Sequence, residues 1–158
     1  MRGLIVYDTY FGNTKSVAEA IAEQVRAEGH EAALASARDG KPWEIAADFL
    51  FVGSPTRIGR PTGRVRKFVK KLDRQQWGNR PVAAFDTYMK ANPETPKSKK
   101  WTEYGAGYLI HDMLKERGFN VSSPPLKCLV TDSEGPLASD ALDKARQYTH
   151  EFLSALGK

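Results

Sequence analysis

The chain has 158 residues, 41% of them hydrophobic and 27% charged, with a formal net charge of +5 and a pI near 9.3. That length supports one domain (1–158) with a full core rather than two, and no apolar stretch approaches the roughly 20 residues that a membrane helix needs. The lone cysteine, Cys128, excludes an internal disulfide, and Met1-Arg2-Gly3 leads into an apolar run without the hydrophobic region and cleavage site of a signal peptide. A cytoplasmic protein is expected.

Leu4 to Tyr7 is apolar and β-favouring, as a buried strand would be. From Asn13 the spacing becomes helical: Val17, Ala18, Ile21, Ala22 and Val25 share one stripe, which ends at Gly29. Glu31 to Ser36 suits a short strand and Trp43 to Ala47 a short helix. Phe49-Leu50-Phe51-Val52 is apolar on both faces and stops at Gly53-Ser54-Pro55. Val65, Phe68, Val69 and Leu72 mark another helix, and Val82-Ala83-Ala84-Phe85 a third apolar strand. Tyr104 to Gly118 is expected to be helical, Leu126 to Val130 the last core strand, and Ala138 to Leu156 the closing helix. Strands that alternate with helices and are apolar throughout predict an α/β fold, with a parallel sheet covered on both sides.

Ligands of such sheets sit beyond the carboxyl ends of the strands. The connections to inspect are therefore 8–14, 53–60 and 86–106, the last containing a Pro- and Lys-rich stretch from Asp86 to Glu103. The first, Thr9-Tyr10-Phe11-Gly12-Asn13-Thr14, joins a strand end to a helix start. Free N–H groups at a helix start attract an anion, Thr9, Asn13 and Thr14 add side-chain donors, and Gly12 permits close approach. Neither a triphosphate loop nor a dinucleotide G-x-G-x-x-G is present, so a single terminal phosphate is the fitting anion. A Thr/Asn helix cap with no ligand accounts for the same residues.

Tyr7, Thr9, Gly12, Thr14, Ala18 and Ile21 resemble the flavodoxin signature, and Phe11 stands where the usual phosphate loop has a threonine. The resemblance covers nearly the whole chain, including Glu134-Gly135-Pro136-Leu137 ahead of the last helix, and is to the short-chain type. It implies a three-layer, doubly wound, five-stranded parallel sheet of order 2-1-3-4-5, with FMN as cofactor. It also implies that Thr9 to Thr14 (Tyr10 and Phe11 included) hold the phosphate, and that Ser54, Pro55, Thr56, Arg57, Ile58 and Gly59 meet the isoalloxazine. This second loop is similar to that of flavodoxin-like NAD(P)H:quinone oxidoreductases, with Ile58 where those have an aromatic. Asp86, Thr87 and Tyr88 would form the third side, and Tyr104 would close over the ring from the next helix. Gly53-Ser54 at the end of the central strand leaves no phosphorylatable Asp for a receiver domain.

The function implied is an electron carrier with no catalytic residues. The alternative is an FMN oxidoreductase acting on a quinone or a porphyrinogen. From Arg57 to Arg74 the chain carries Arg57, Arg60, Arg64, Arg66, Lys67, Lys70, Lys71 and Arg74 against one acid, Asp73; Lys97, Lys99 and Lys100 form a second basic cluster. This polarity suits an acidic redox partner, with an anionic membrane surface as a second possibility. Arg57 and Arg60 should make the reduced flavin less unfavourable than in acidic flavodoxins. No interleaved aromatics accompany the basic helix, so nucleic acid is not expected as a partner. His30, His111 and His150 are scattered, and no metal is expected. Cys128 lies in an apolar strand and is expected in the core.

Overall fold

Neighbouring residues of the central strands serve opposite faces of a sheet, and each face is apolar enough to need a cover of helices. The computed structural model describes residues 1–90, 94–95 and 100–157. In it β1 (Arg2–Tyr7), β2 (Glu31–Ser36), β3 (Phe49–Pro55), β4 (Pro81–Met89), β5 (Asn120–Val121) and β6 (Leu126–Val130) pair in parallel in the order β2-β1-β3-β4-β5, with β6 also on β4. One face packs Ile5, Phe49, Phe51, Ala83 and Phe85 against α1 (Asn13–Ala27) and the closing helix, Ala141–Leu156. The other packs Leu4, Val6, Leu50, Val52, Val82 and Ala84 against α2 (Gly63–Lys71) and the helix Gly105–Glu116. Between these lies a short helix α3 (Arg74–Trp77), so Gly105–Glu116 is α4 and Ala141–Leu156 is α5. The three-layer α/β architecture and strand order agree with expectation. Cys128 is buried in the core, as expected.

Several details differ. The sheet has six strands instead of five, because the fifth position is filled by two segments: β5 pairs with Pro81 and Val82, and β6 with Phe85 to Met89. Pro124 and Pro125 lie between them and have no N–H to give to a ladder. Strand β4 runs on to Met89 instead of ending at Phe85. Asp86 and Thr87 thus pair with Ser54 and Pro55 on one side and with Lys127 and Cys128 on the other. Their burial is tolerable because their side chains are hydrogen-bonded. Asp86, Thr87 and Tyr88 are therefore strand residues and not members of a loop. The short helix foreseen at Trp43–Ala47 is a 3-10 turn over Pro42–Glu44, and a π-turn at Lys100–Tyr104 precedes α4. Lys97 and Lys99, and the side chain of Lys100, lie outside the described residues. No helix among the described residues is long and apolar enough to cross a membrane.

Candidate functional site

The first connection begins with a buried acid. Asp8 Oδ1 accepts the Thr9 N–H at 2.9 Å and Arg38 Nε at 2.6 Å, which ties the end of β1 to the residues following β2. Thr9 Oγ1 then accepts the Gly12 N–H at 2.9 Å, closing a turn that hands the chain to α1. Gly12 takes φ +91°, and a Cβ added there would meet nothing within 4 Å, so the space in front of the helix start is open. Gly12 offers α1 no side-chain cap. An uncapped, open helix N-terminus is a receptor for an anion. Two of the side-chain donors expected there are partly committed elsewhere: Asn13 Nδ2 donates to the Glu134 carbonyl at 3.1 Å, and Thr14 Oγ1 pairs with Thr87 Oγ1 at 2.8 Å.

The second connection is a two-residue turn. Arg57 and Arg60 exchange N–H···O=C bonds of 2.8 and 3.0 Å, with Ile58 at φ +50° and Gly59 at φ +74° between them. Two positive φ values are what such a hairpin turn requires, and glycine meets the demand easily. A β-branched residue does not, so Ile58 is strained, and it projects 81% exposed beside the cleft. The turn is anchored at both ends. Ser54 Oγ accepts the Thr62 N–H at 2.9 Å, and the Thr56 N–H donates to the Thr87 carbonyl at 2.9 Å. The Arg57 guanidinium reaches back across the mouth, 4.5 Å from the centre of the Tyr10 ring, with Arg38 5.0 Å from the same ring.

Between these connections lies a cleft of about 360 Å³ lined by Thr9, Tyr10, Phe11, Asn13, Thr14, Pro55, Thr56, Arg57, Ile58, Thr87 and Tyr88, all foreseen from sequence. Met89, Val130, Ser133 and Glu134 also line it and were not foreseen. The Glu134-Gly135 turn had a sequence signal, but only as the approach to the last helix. Met89 had none, since the strand was expected to stop earlier. Gly12, Ser54 and Gly59 shape the walls through backbone or anchoring bonds rather than lining the cleft.

Two expected members point elsewhere. The Asp86 carboxylate is fully buried on the α4 side of the sheet, where its Oδ2 receives Thr56 Oγ1, the Gly107 N–H and Lys127 Nζ. Burial pushes this carboxyl up, opposed by the Lys127 charge and the three hydrogen bonds. Tyr104 stacks on Tyr108 with ring centres 4.9 Å apart and donates to Asp112, a bond that lifts its phenol to about 12. It does not line the cleft. Tyr88 does, and burial together with the Asp86 charge raises its phenol as well.

The residues present fit FMN. The uncapped helix start and open Gly12 suit a phosphate tail, and Tyr10, Phe11, Ile58, Tyr88 and Met89 offer apolar surface to a flat ring. Among the described residues, no three His, Cys, Asp or Glu side chains converge as a metal site would require.

Comparisons agree with this geometry. Residues 4–116 match the family described as Flavodoxin domain. A flavodoxin of Aquifex aeolicus is 38% identical over 77 residues, which is 48% of this chain and 42% of that relative's length. The structure is similar to that of a flavodoxin from the domain Archaea, with TM-score 0.79, 23% identity and full coverage of both chains. It is also similar to the rubredoxin oxygen:oxidoreductase of Desulfovibrio gigas, with TM-score 0.78 and 19% identity over 99% of this chain and 36% of that one.

Proposed function

The chain belongs to the flavodoxin family, and from that premise we propose that it binds FMN in the cleft between residues 9–14 and 55–59 and carries electrons between redox partner proteins. In this reading residues 1–158 form a single module. The observation that carries the proposal is the uncapped, open start of α1 facing a cleft whose far wall is the strained Arg57–Arg60 turn. The backbone N–H groups at the start of α1, with the hydroxyl of Thr9, would hold the phosphate. Pro55 to Gly59, Thr87, Tyr88 and Met89 would flank the ring. When bound, FMN supplies the reversible uptake and release of electrons. The chain's own part is to fix the ring, keep water off its inner faces and leave one edge for electron exit.

The partner is proposed to be acidic. Arg57, Arg60, Arg64, Arg66, Lys67, Lys70 and Lys71 are exposed, and among the described residues none of them forms an ion pair. They make a basic apron running from the cleft mouth along α2. Its apolar side chains Val65, Phe68 and Val69 are all buried, so the helix has nothing to insert into a membrane, and a protein surface is the better match. Stopped-flow electron transfer to acidic acceptor proteins tests this. The rate should fall steeply between low and physiological salt, and Lys67→Glu/Lys70→Glu should lower it about tenfold at low salt. A rate indifferent to both changes would remove the acidic partner. Protein that stays colourless after equilibration with FMN and dialysis would remove the cofactor.

A further inference from the structure

Asp86 does not line the cleft, but what it touches braces the cleft wall. Its Oδ2 accepts from Thr56 Oγ1 at 3.0 Å, from the Gly107 N–H at 2.8 Å and from Lys127 Nζ at 2.5 Å, while Oδ1, buried, has no partner. Thr56 Oγ1 in turn accepts the Ala106 N–H at 3.0 Å. The start of α4 can come this close because it is built from glycines. A Cβ on Gly105 would lie 2.8 Å from Thr56 Oγ1, and one on Gly107 3.2 Å from the Asp86 carboxylate. Lys127 completes the cluster from β6. Its ammonium also stands 4.6 Å from the ring centre of Tyr88, a cleft residue.

Apolar groups of similar volume would serve a sheet interior as well as this ion pair or better, so stability alone does not account for it. Its position does. Resting on the FMN reading above, we propose that Asp86 and Lys127 are a positioning pair. They lock Thr56, and with it the Pro55–Gly59 turn, onto the sheet, and their opposed charges behind the cleft wall balance the site's affinity for oxidised and reduced FMN. Buried charges are weakly screened, so removing one partner exposes the field of the other.

The test uses cofactor-free protein, with fluorescence titrations of oxidised FMN and riboflavin and anaerobic titration of reduced FMN. Asp86→Asn leaves the Lys127 ammonium uncompensated and favours the more negative, reduced cofactor. The ratio of reduced to oxidised affinity should rise about tenfold, equivalent to about 30 mV for a two-electron couple. Lys127→Met should lower the ratio or leave it unmoved, according to whether the stranded carboxylate keeps its charge or takes up a proton. The double variant should return to within about threefold of the wild type. Thr56→Val keeps both charges and tests the positioning half, even where Asp86→Asn fails to fold. It should bind riboflavin about tenfold more weakly, since the turn loses its tether while the phosphate site is not in use. Failure of Asp86→Asn to raise the ratio, a shift of the same sign in both single variants, or unchanged riboflavin binding by Thr56→Val would overturn the proposal. Wild-type protein that binds no FMN would instead overturn the cofactor assignment on which it rests.

Discussion

On the proposed phosphate side of the cleft a charged pair, Asp8–Arg38, stands only at the root of the connection. The turn itself is closed by a neutral, local bond: Thr9 Oγ1 holds the Gly12 N–H three residues on, and α1 starts at once. On the ring side the decisive groups are charged, buried and distant in sequence. Thr56 meets Ala106 across 50 positions, and Asp86 meets Lys127 across 41. A turn can present backbone donors to a phosphate without help. A wall that must hold a strained turn in one place needs ties from other elements, and here those ties are a carboxylate, an ammonium and the start of a helix. The difference implies that the two sides should respond differently to substitution.

The largest effect is expected on the ring side. Asp86→Asn strands the largely buried Lys127 ammonium, and breaking such a pair costs about 3–5 kcal/mol. Urea unfolding of the cofactor-free protein should show a loss of that size with an unchanged m-value. A loss well under about 1 kcal/mol would mean that the cluster is solvated rather than structural, and the contrast between the two sides would fail.

Legibility in the sequence follows the same division. The Thr9–Thr14 segment and the Gly53-Ser54-Pro55 strand end could be placed because turn residues and helix starts have short-range signatures. The strand order followed from a family resemblance carried by those same residues. Asp86 was expected at the cleft because a polar residue after Val82-Ala83-Ala84-Phe85 reads as the end of a strand. In the structure the strand continues, because Lys127, Thr56 and Gly107 all bond one oxygen of the carboxylate, Oδ2, from three other elements. Lys127 gave no signal of its own: a lysine between Leu126 and Cys128 in a strand suggests a solvated side chain. Met89 was missed for the same reason as the true end of β4. Tyr104 was placed correctly beside a helix start, but its ring turns to Tyr108 and Asp112, a choice that periodicity does not record.

On the phosphate side the expected effect is smaller and purely local. Gly12→Ala places a methyl in open space but forces an L-residue to φ +91°, which costs about 1–2 kcal/mol. Relaxation of that strain would turn the Gly12 and Asn13 peptides away from the anion position. FMN affinity should therefore fall while riboflavin affinity, which lacks the phosphate contribution, stays within about twofold, as expected for independent sites. Equal losses for both ligands would show that the two sides are coupled through the cleft.

The smallest effect concerns Ile58 and has the opposite sign. Its left-handed backbone costs about 1–2 kcal/mol, at the upper end for a β-branched side chain, and glycine would remove that cost while giving back about 0.5–1 kcal/mol in chain entropy. At 81% exposure the side chain contributes little burial, so Ile58→Gly should stabilise the cofactor-free protein by about 1 kcal/mol or less. A residue that weakens the fold where it stands needs another reason to be there, and the cleft supplies one: the sec-butyl side chain of Ile58 gives the cleft apolar lining on the turn side. Riboflavin binding by Ile58→Gly should then fall severalfold as melting temperature rises. If both stability and riboflavin affinity rise together, the strained turn is not a ring cover, and Tyr88 and Met89 must hold the flat face from β4 alone.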